Sequence, residues 1–332
     1  MTRIEKIQKA LAEKDLDAIV LFSEPNVRYA GQFAFTDGAV AVTRGGAVLI
    51  TDSRYVEAAE AEAKDVTVRC VSAEQSLQAI LKEALGKALG HDLQPADAVL
   101  ADLRAVKETA EIEAITAAQR IAERAFGEML GYLRPGLTEH EIAAELTYRM
   151  MRLGGEGNSF DPITITGANT SKPHGVPGDA VVREGDFVTL DFGTIVGGYH
   201  SDMTRTVAIG RATDEMRKVY DTVLQAQLAG IALMTAGHTG AEVHNAAAKV
   251  IADAGYGAYF GHGFGHSVGL EIHESPSANP RNDAPLPVGA VVTAEPGIYL
   301  PGKFGVRIED MVCIAEGAGV NLTKAPKELI IV

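Results

Sequence analysis

Three histidines lie close together in residues 261–274, which read GHGFGHSVGLEIHE. They are His262, His266 and His273, and the first two have the i, i+4 spacing of helical zinc motifs. The glycines of this stretch argue against a helix, because each costs about 1 kcal/mol relative to alanine. The residues therefore predict a glycine-rich turn or strand whose imidazoles point into a cleft. Surface or core histidines in a glycine-rich loop are the alternative.

Two carboxylates lie in a predicted β-hairpin formed by residues 187–196 and 199–209. The Gly-Gly turn between the strands sets a register in which Asp191 lies opposite Thr204. Asp202 is two residues from Thr204, so both aspartates project from the same face as diagonal neighbours, about 7–8 Å apart. Both carboxylates can then reach one ion. Two solvated strand carboxylates are the alternative.

Two glutamates follow apolar runs later in the chain. Glu295 ends a predicted strand over residues 291–295, which a Pro-Gly pair terminates. Glu309 lies in a predicted strand over residues 304–310. Arg307 is two residues before Glu309, so the period-two alternation of a strand places both side chains on one face.

These segments together supply four carboxylates and one imidazole on sheet elements: Asp191, Asp202, His266, Glu295 and Glu309. Such an oxygen-rich set suits Mn²⁺, Co²⁺, Fe²⁺ or Zn²⁺. Without metal, so many neighbouring carboxylates would repel each other and some would stay protonated. Four negative charges balance two divalent cations, and two ions about 3.5–4 Å apart can activate water and stabilise a tetrahedral intermediate. The set therefore predicts hydrolytic chemistry.

The elements that must position these residues fall into two predicted domains, 1–106 and 107–332. The first alternates helix and strand patterns, with a predicted helix over residues 75–89 and a last strand at Val99 and Leu100. It is predicted to be a small α/β domain without a catalytic cluster.

The second predicted domain begins with long helices. Thr138 and Glu141 have the spacing of a capping box. Further along, two amphipathic helices are predicted to cover the sheet. His238 and His244 lie at or near helix starts, and both are predicted to be structural or surface residues.

Composition excludes several function classes. The net charge of −14 over 332 residues disfavours binding to nucleic acid or to an anionic membrane, because both require a basic face. Cys70 and Cys313 are far apart, so they predict neither a disulfide framework nor a zinc–thiolate site. The N-terminus lacks the apolar core of a signal peptide, and no apolar run reaches about 18 residues. These features predict a cytoplasmic protein.

Six motifs together carry a family resemblance. They are SKPHG at 171–175, DFG at 191–193, SDMTRT at 201–206, the histidine stretch at 261–274, EPGIY at 295–299 and VRIED at 306–310. Their order and spacing resemble the pita-bread metallopeptidases, in the branch of Xaa-Pro dipeptidases (prolidases) and aminopeptidases P. The first hundred residues resemble the creatinase-like N-terminal domain of this family, through NVRY at 26–29 and TDSRY at 51–55.

The resemblance implies a fold and a metal content. The fold is an α/β N-terminal domain followed by an α+β C-terminal pita-bread domain with a curved, mostly antiparallel sheet. The five ligands Asp191, Asp202, His266, Glu295 and Glu309 would hold two divalent metal ions. Asp202 and Glu309 would bridge both ions, and His266 would bind one. Manganese is the expected metal, with cobalt or zinc as alternatives.

The resemblance also implies roles for the residues around the metals. Glu295 would be the acid/base partner of a hydroxide that bridges the metals. His174 would hydrogen-bond the scissile carbonyl and the tetrahedral intermediate. His262 and His273 would line the subsite for proline, and His273 is also expected to take part in catalysis. Arg307 would contribute to electrostatics or bind the substrate carboxylate, with a plain salt bridge to a neighbouring acid as the alternative.

The predicted function is hydrolysis of the peptide bond before proline, with Xaa-Pro dipeptides as the first choice of substrate. Aminopeptidase P activity on longer peptides is the alternative within the class, and a methionine aminopeptidase is a weaker rival because it would lack the N-terminal domain. A non-catalytic binding protein on the same fold is the alternative from another class. The resemblance further suggests a homodimer.

Overall fold

The computed structural model describes residues 1–33, 38–72, 74–86 and 97–332. The chain divides into two compact units, Met1–Arg104 and Ala105–Val332. Among the described residues, no helix is both long and apolar enough to cross a membrane.

The N-terminal unit is built around a four-stranded sheet. Its described strands are β1 (Ala18–Leu21), β2 (Gly38–Thr43), β3 (Gly46–Thr51) and β4 (Thr67–Cys70), in the order β1-β2-β3-β4. Its described helices are α1 (Arg3–Glu13), α2 (Glu24–Gly31), α3 (Val56–Glu62), α4 (Leu77–Leu85) and α5 (Asp97–Ala105). Strands β1, β2 and β3 pair antiparallel, whereas β4 pairs parallel to β3. The predicted hairpin of β2 and β3 is confirmed.

One element of the N-terminal unit was predicted wrongly. Val99 and Leu100 do not close the sheet as a strand; both are buried and lie in the helix α5. A two-residue apolar run carries no periodicity, and the surrounding alanine, leucine and arginine residues favour a helix. The predicted helix over 75–89 is present as α4, but residues 87–89 lie outside the described part of the chain.

The helices of the C-terminal unit begin at capping residues. They are α6 (Thr109–Leu130), α7 (Glu139–Arg152), α8 (Asp214–Ile231) and α9 (Gly240–Asp253), with 3₁₀ segments at Gly167–Ser171 and Gly257–Tyr259. The predicted capping box before α7 is confirmed: the Thr138 side chain accepts from the Glu141 backbone, and the Glu141 side chain accepts from the Thr138 backbone. Thr239 and Glu242 form the same motif at α9.

The strands of the C-terminal unit are short and pair antiparallel. They are β5 (Ile163–Thr166), β6 (Phe187–Phe192), β7 (Ile195–Val196), β8 (Tyr199–His200), β9 (Met203–Ala208), β10 (Gly265–Ser267), β11 (Glu274–Ala278), β12 (Val291–Ala294), β13 (Gly297–Leu300), β14 (Phe304–Arg307), β15 (Asp310–Cys313) and β16 (Val320–Asn321). The larger sheets have the orders β5-β6-β9 and β11-β10-β12-β15-β16, and β13 pairs with β14.

Strand β6 is covered on both faces. Val188, Leu190 and Phe192 pack in a core cluster with α6 and α7. Phe187 packs in a second cluster with α8 and α9. Burying each of these side chains contributes roughly 1.5–3 kcal/mol. Because side chains alternate along a strand, Asp191 lies on the same face of β6 as Phe187. The other face of β6 packs against the cluster with α6 and α7, which holds the strand in place.

Candidate active site

The observed register of β6 and β9 brings Asp191 and Asp202 together. Asp191 pairs with Thr204, as the Gly-Gly turn predicts, so this prediction is confirmed. Asp202 itself lies just before β9, at an interruption in the hairpin. The returning segment was predicted as one continuous strand, and that prediction was wrong in this detail.

A close backbone approach explains the interruption. The Ser201 hydroxyl accepts a hydrogen bond from the Thr194 backbone N–H at 3.0 Å, in place of a regular strand contact. A Cβ atom at Gly193 would lie 1.8 Å from the Ser201 carbonyl oxygen. Position 193 must therefore be glycine, because a larger residue would collide with the backbone of Ser201. That collision would push apart the two segments that carry Asp191 and Asp202.

The other acids and His266 come from the neighbouring sheet. His266 lies in β10, Glu295 directly follows β12, and Glu309 lies between β14 and β15. The single predicted strand over 304–310 is therefore wrong, because the chain leaves β14 before Glu309. The reason is tertiary: the Glu309 backbone N–H donates to the Thr204 carbonyl of β9 at 3.1 Å. The predicted non-helical conformation of the histidine stretch is confirmed.

These side chains converge on one point. The His266 Nε2 atom lies 3.4 Å from Glu295 Oε1 and 3.6 Å from Asp202 Oδ2. Ligand atoms of Asp202, His266 and Glu309 lie within 4.8 Å of one another. Asp191 joins the group through Arg307, whose Nη2 donates to Asp191 Oδ2. Residues that lie in or directly beside β6, β9, β10, β12 and β14 thus meet at one cluster.

Most N–H groups of Arg307 are hydrogen-bonded to other groups of the protein. Its Nε donates to the Thr204 hydroxyl at 3.1 Å, and its Nη1 donates to the Tyr299 hydroxyl and the Pro173 carbonyl at 2.8 and 3.1 Å. With the ion pair to Asp191, four of its five N–H groups are occupied, and the side chain is buried. This arrangement favours the electrostatic role and the salt bridge over binding of a substrate carboxylate.

The cluster is electrostatically strained without cations. One oxygen each of Asp191, Asp202 and Glu309 is buried without a hydrogen-bond partner among the described residues. Burial, followed by the neighbouring carboxylates, raises the pKa values of Asp202 and Glu309 well above their ordinary range. Burial and the charge of Asp191 also raise the pKa of Glu295 to about 7, although Arg307 opposes this rise.

The donor set fits divalent cations. Burial lowers the pKa of His266, so its imidazole is neutral and able to act as a ligand at neutral pH. The unpartnered carboxylate oxygens supply the acceptors that hard or borderline cations prefer. Asp191, Asp202, His266, Glu295 and Glu309 are therefore residues that could hold two such ions.

The raised pKa values predict the pH dependence of the metal-free protein. Between about pH 4.5 and 7 the folded protein binds more protons at Glu295 than the unfolded chain does, so stability falls as pH rises. From pH 6 to 8 we expect Glu295 alone to lower the unfolding free energy by about 1 kcal/mol, and Tm by a few degrees.

Thermal unfolding of chelator-treated protein across this range measures the effect. Added Mn²⁺ is expected to raise Tm more at pH 8 than at pH 6, because the carboxylates are then ionised. A metal-free Tm that rises steadily from pH 6 to 8 would contradict the strained cluster.

A cavity of about 930 Å³ opens over the cluster, within the C-terminal unit. The predicted residues His174, His262, His273 and Arg307 all line it, together with the four acids and His266. The His262 Nε2 atom lies 2.9 Å from the Tyr299 hydroxyl, and burial lowers the pKa of His262 to about 4. The His273 ring lies 4.3 Å from that of His266.

Sequence reasoning missed other residues of the cavity. Phe160, His244, Phe260 and Arg281 line it without having been predicted as site residues. His244 was expected to be structural or at the surface, but its ring stacks on Phe260 at 5.3 Å in the cavity wall. A single histidine on an amphipathic helix gives no local signal for this position. Tyr299 was within a recognised motif, and its hydroxyl links His262 to Arg307.

Comparison with known proteins agrees with the fold and the class of enzyme. The sequence profile of metallopeptidase family M24 matches residues 113–316, and that of the Creatinase/Prolidase N-terminal domain matches residues 3–123. The chain belongs to metallopeptidase family M24 and carries the α/β plus pita-bread fold predicted for it. The predicted fold class and the predicted class of enzyme are confirmed.

Individual relatives span the whole chain. It is similar to the Xaa-Pro dipeptidase from Bacillus anthracis, with 37% identity, a TM-score of 0.92 and 99% of each chain covered. The X-Pro aminopeptidase from Thermotoga maritima has 36% identity and a TM-score of 0.89, with 98% of this chain and 100% of that one covered. The Xaa-Pro dipeptidase of Pyrococcus furiosus is 35% identical over 346 residues, which cover 99% of each chain.

Proposed function

We propose that this chain hydrolyses the peptide bond before proline, with Xaa-Pro dipeptides as the leading substrates. The observation that carries the proposal is a set of buried carboxylate oxygens on Asp191, Asp202 and Glu309, in a histidine-lined cavity, that have no hydrogen-bond partner in the described part of the chain. The names of the relatives support the choice of peptide bond, since they include Xaa-Pro dipeptidases and an X-Pro aminopeptidase.

The five residues Asp191, Asp202, His266, Glu295 and Glu309 would hold two divalent cations, with Mn²⁺ proposed and Co²⁺ or Zn²⁺ as alternatives. When bound, such ions make water a competent nucleophile at neutral pH and neutralise charge that develops on the substrate. Asp202 and Glu309 would each contribute a carboxylate to the site that holds these ions. The Thr204 hydroxyl donates to Glu309 Oε2 at 2.7 Å, which fixes that carboxylate in place.

Glu295 is the proposed acid/base residue. Burial and the charge of Asp191 raise the pKa of Glu295 to about 7 in the metal-free protein. Near neutral pH this carboxyl group can therefore both accept and release a proton. The Thr293 hydroxyl lies 3.2 Å from Glu295 Oε1 and orients it. A carboxyl group so held can accept a proton from water and deliver it to the departing amine.

The histidines are proposed to bind and orient the peptide. The Arg307 guanidinium donates to the Pro173 carbonyl, so it positions the loop that carries His174. His174 is proposed to donate to the scissile carbonyl oxygen as negative charge develops there. His262, neutral and fixed by Tyr299, would form the wall of the proline subsite with His273, and His273 would also contact the reacting atoms.

Peptide hydrolysis by metal-stripped protein after addition of Mn²⁺, Co²⁺ or Zn²⁺ tests the proposal. Ala-Pro tests dipeptidase activity, Ala-Pro-Ala tests aminopeptidase P activity, and Met-Ala-Ser tests methionine aminopeptidase activity. Cleavage of Ala-Pro is the expected result, while cleavage of the tripeptide alone would identify aminopeptidase P activity. Release of methionine alone would overturn the preference for proline. Binding of two ions without any hydrolysis would favour a binding protein.

A further inference from the structure

A buried glutamate contacts both ends of the His174 loop, residues 167–178. Glu139 begins α7, is 0% exposed and lies outside the cavity wall that the described residues form. Its Oε1 atom accepts from the Thr166 backbone N–H at 2.8 Å and from Asn169 Nδ2 at 2.9 Å. Its Oε2 atom accepts from the Gly178 backbone N–H at 2.9 Å. One carboxylate therefore joins the two ends of the loop.

The three contacts of Glu139 suit an ionised carboxylate. Each neighbour is an N–H donor, and within the described part of the chain no lysine, arginine or histidine forms an ion pair with it. Its place in the first turn of α7 adds the favourable field of a helix N-terminus. The Asn169 amide is oriented by a second contact, since its Oδ1 accepts from Lys172 Nζ at 2.8 Å. Hydrogen bonds to an ionised acceptor are strong, so Glu139 fixes both ends of the loop.

The His174 side chain depends on the backbone of this loop for its position. It is exposed in the cavity wall and has no hydrogen bond to another described residue. Between its two ends, the loop is held by the bond from Arg307 to the Pro173 carbonyl. It also passes close to β5, because a Cβ atom at Gly175 would lie 2.9 Å from Ile165 Cδ1. Release of either end would let His174 move, and a displacement of about 1 Å can cost about 10²-fold in rate.

We propose that Glu139 is a positioning residue for the hydrolysis, because it holds the His174 loop where His174 can donate to the scissile carbonyl oxygen. The inference rests on the proposed function and on the role of His174 in it. Glu139 acts through the backbone of Thr166 and Gly178 and through the Asn169 amide. A glutamate with a purely structural role would change the stability of the protein but not the kcat of the folded enzyme.

The test is a double-mutant cycle of Glu139→Gln and His174→Ala in Mn²⁺-loaded protein, measured on the better of Ala-Pro and Ala-Pro-Ala. Glutamine keeps the size of the side chain, but its NH₂ group then faces at least one of the three N–H donors. Glu139→Gln is expected to lower kcat about 10–100-fold and to keep KM within about twofold, because His174 acts on charge that develops in the transition state. His174→Ala alone should lower kcat by about 10²–10³-fold. In that background Glu139→Gln should cost less than about threefold more.

Further variants separate positioning from loss of the fold. Glu111→Gln is the matched control, a buried glutamate in the first turn of α6 that accepts from the Tyr199 hydroxyl, and it should keep kcat within about twofold. Asn169→Ala removes one donor at a half-buried position and should lower kcat about 3–10-fold, again only when His174 is present. Hydrogen exchange in metal-free protein should be faster over residues 166–178 in Glu139→Gln than in the wild type.

Equal fold losses from Glu139→Gln with and without His174 would overturn the inference, as would an unchanged kcat or unchanged hydrogen exchange. If Glu139→Gln does not fold, the same cycle with Asn169→Ala decides, and equal losses there would count against the inference in the same way. A wild type that hydrolyses neither peptide would overturn the proposed function, and this inference with it. Hydrolysis by the wild type together with an additive cycle would overturn the inference alone.

Discussion

Replacing Glu309 by glutamine is expected to lower turnover by about 10³-fold or more, whichever metal is supplied. Glutamine keeps the size of the side chain and can still accept from the Thr204 hydroxyl, which lies 2.7 Å from Glu309 Oε2. It loses the charge and the oxygen that is buried without a partner among the described residues. Loss of an ion there removes several kcal/mol of transition-state stabilisation, which corresponds to this fall in rate.

Glu309→Gln has a second expected effect, which distinguishes a metal ligand from a glutamate with a purely structural role. Metal-free Glu309→Gln is expected to unfold at the same temperature as metal-free wild type or higher at pH 8. The reason is that Glu309 is repelled by Asp202 and Glu295. The gain in Tm on adding Mn²⁺ should shrink at the same time. Isothermal titration and thermal unfolding measure the two effects.

A matched control is another buried glutamate. Glu111 is 2% exposed and accepts from the Tyr199 hydroxyl at 2.7 Å, outside the acidic cluster. Glu111→Gln is expected to keep the metal stoichiometry and most of the activity. If Glu309→Gln binds two ions as tightly as wild type and retains full turnover, Glu309 is not a metal ligand.

The sequence predicted the register of Asp191 because it depends on local rules. A two-residue turn and a period of two are enough to place Asp191 opposite Thr204. The capping box at Thr138 was predictable for the same reason, since its contacts span one helical turn. Features set by neighbours in the chain were therefore accessible without a structure.

Features that depend on contacts between residues far apart in the sequence could not be predicted from it. Strand β14 ends before Glu309 because the Glu309 backbone N–H donates to the Thr204 carbonyl. No pattern within residues 304–310 predicts this hydrogen bond. Arg307 pairs with Asp191, which is far away in sequence, rather than with Glu309, which is two residues further along the chain. The position of His244 in the cavity wall depends on tertiary contacts: the Ala241 backbone N–H of α9 donates to the Asn282 carbonyl, and the His244 ring stacks on Phe260. Tertiary contact decides each of these cases.

Replacing Arg205 by methionine is expected to cause a large loss of stability. Arg205 is 1% exposed, and all five of its N–H groups are used. Its acceptors are the carbonyl oxygens of Thr204, Glu309, Ala325 and Pro326 and the carboxylate of Asp310. Although burial opposes ionisation, Arg205 and Lys327 hold the pKa of Asp310 below its usual value.

Methionine would fill most of the volume but leave Asp310 with one cation, and several carbonyls without a donor. Removing one partner of a buried ion pair costs about 3–5 kcal/mol, a large part of the 5–15 kcal/mol that stabilises a typical protein. For a domain of this size we expect Tm to fall by roughly 10 °C or more. Arg217→Met, at an exposed position, should change the unfolding free energy by less than about 0.5 kcal/mol.

The effect is expected to reach the acidic cluster as well, because Arg205 holds the backbone carbonyl of Glu309 and that of Thr204, whose hydroxyl orients the Glu309 carboxylate. Arg205→Met should therefore weaken Mn²⁺ binding by about 10–100-fold, the usual cost of losing a residue that orients a ligand. Calorimetric titration at a temperature where the variant is still folded measures this. Full Mn²⁺ affinity together with a lower Tm would show that Arg205 stabilises the fold without positioning the site. A loss below about 1 kcal/mol would mean that the buried ion pair adds little beyond a hydrophobic side chain.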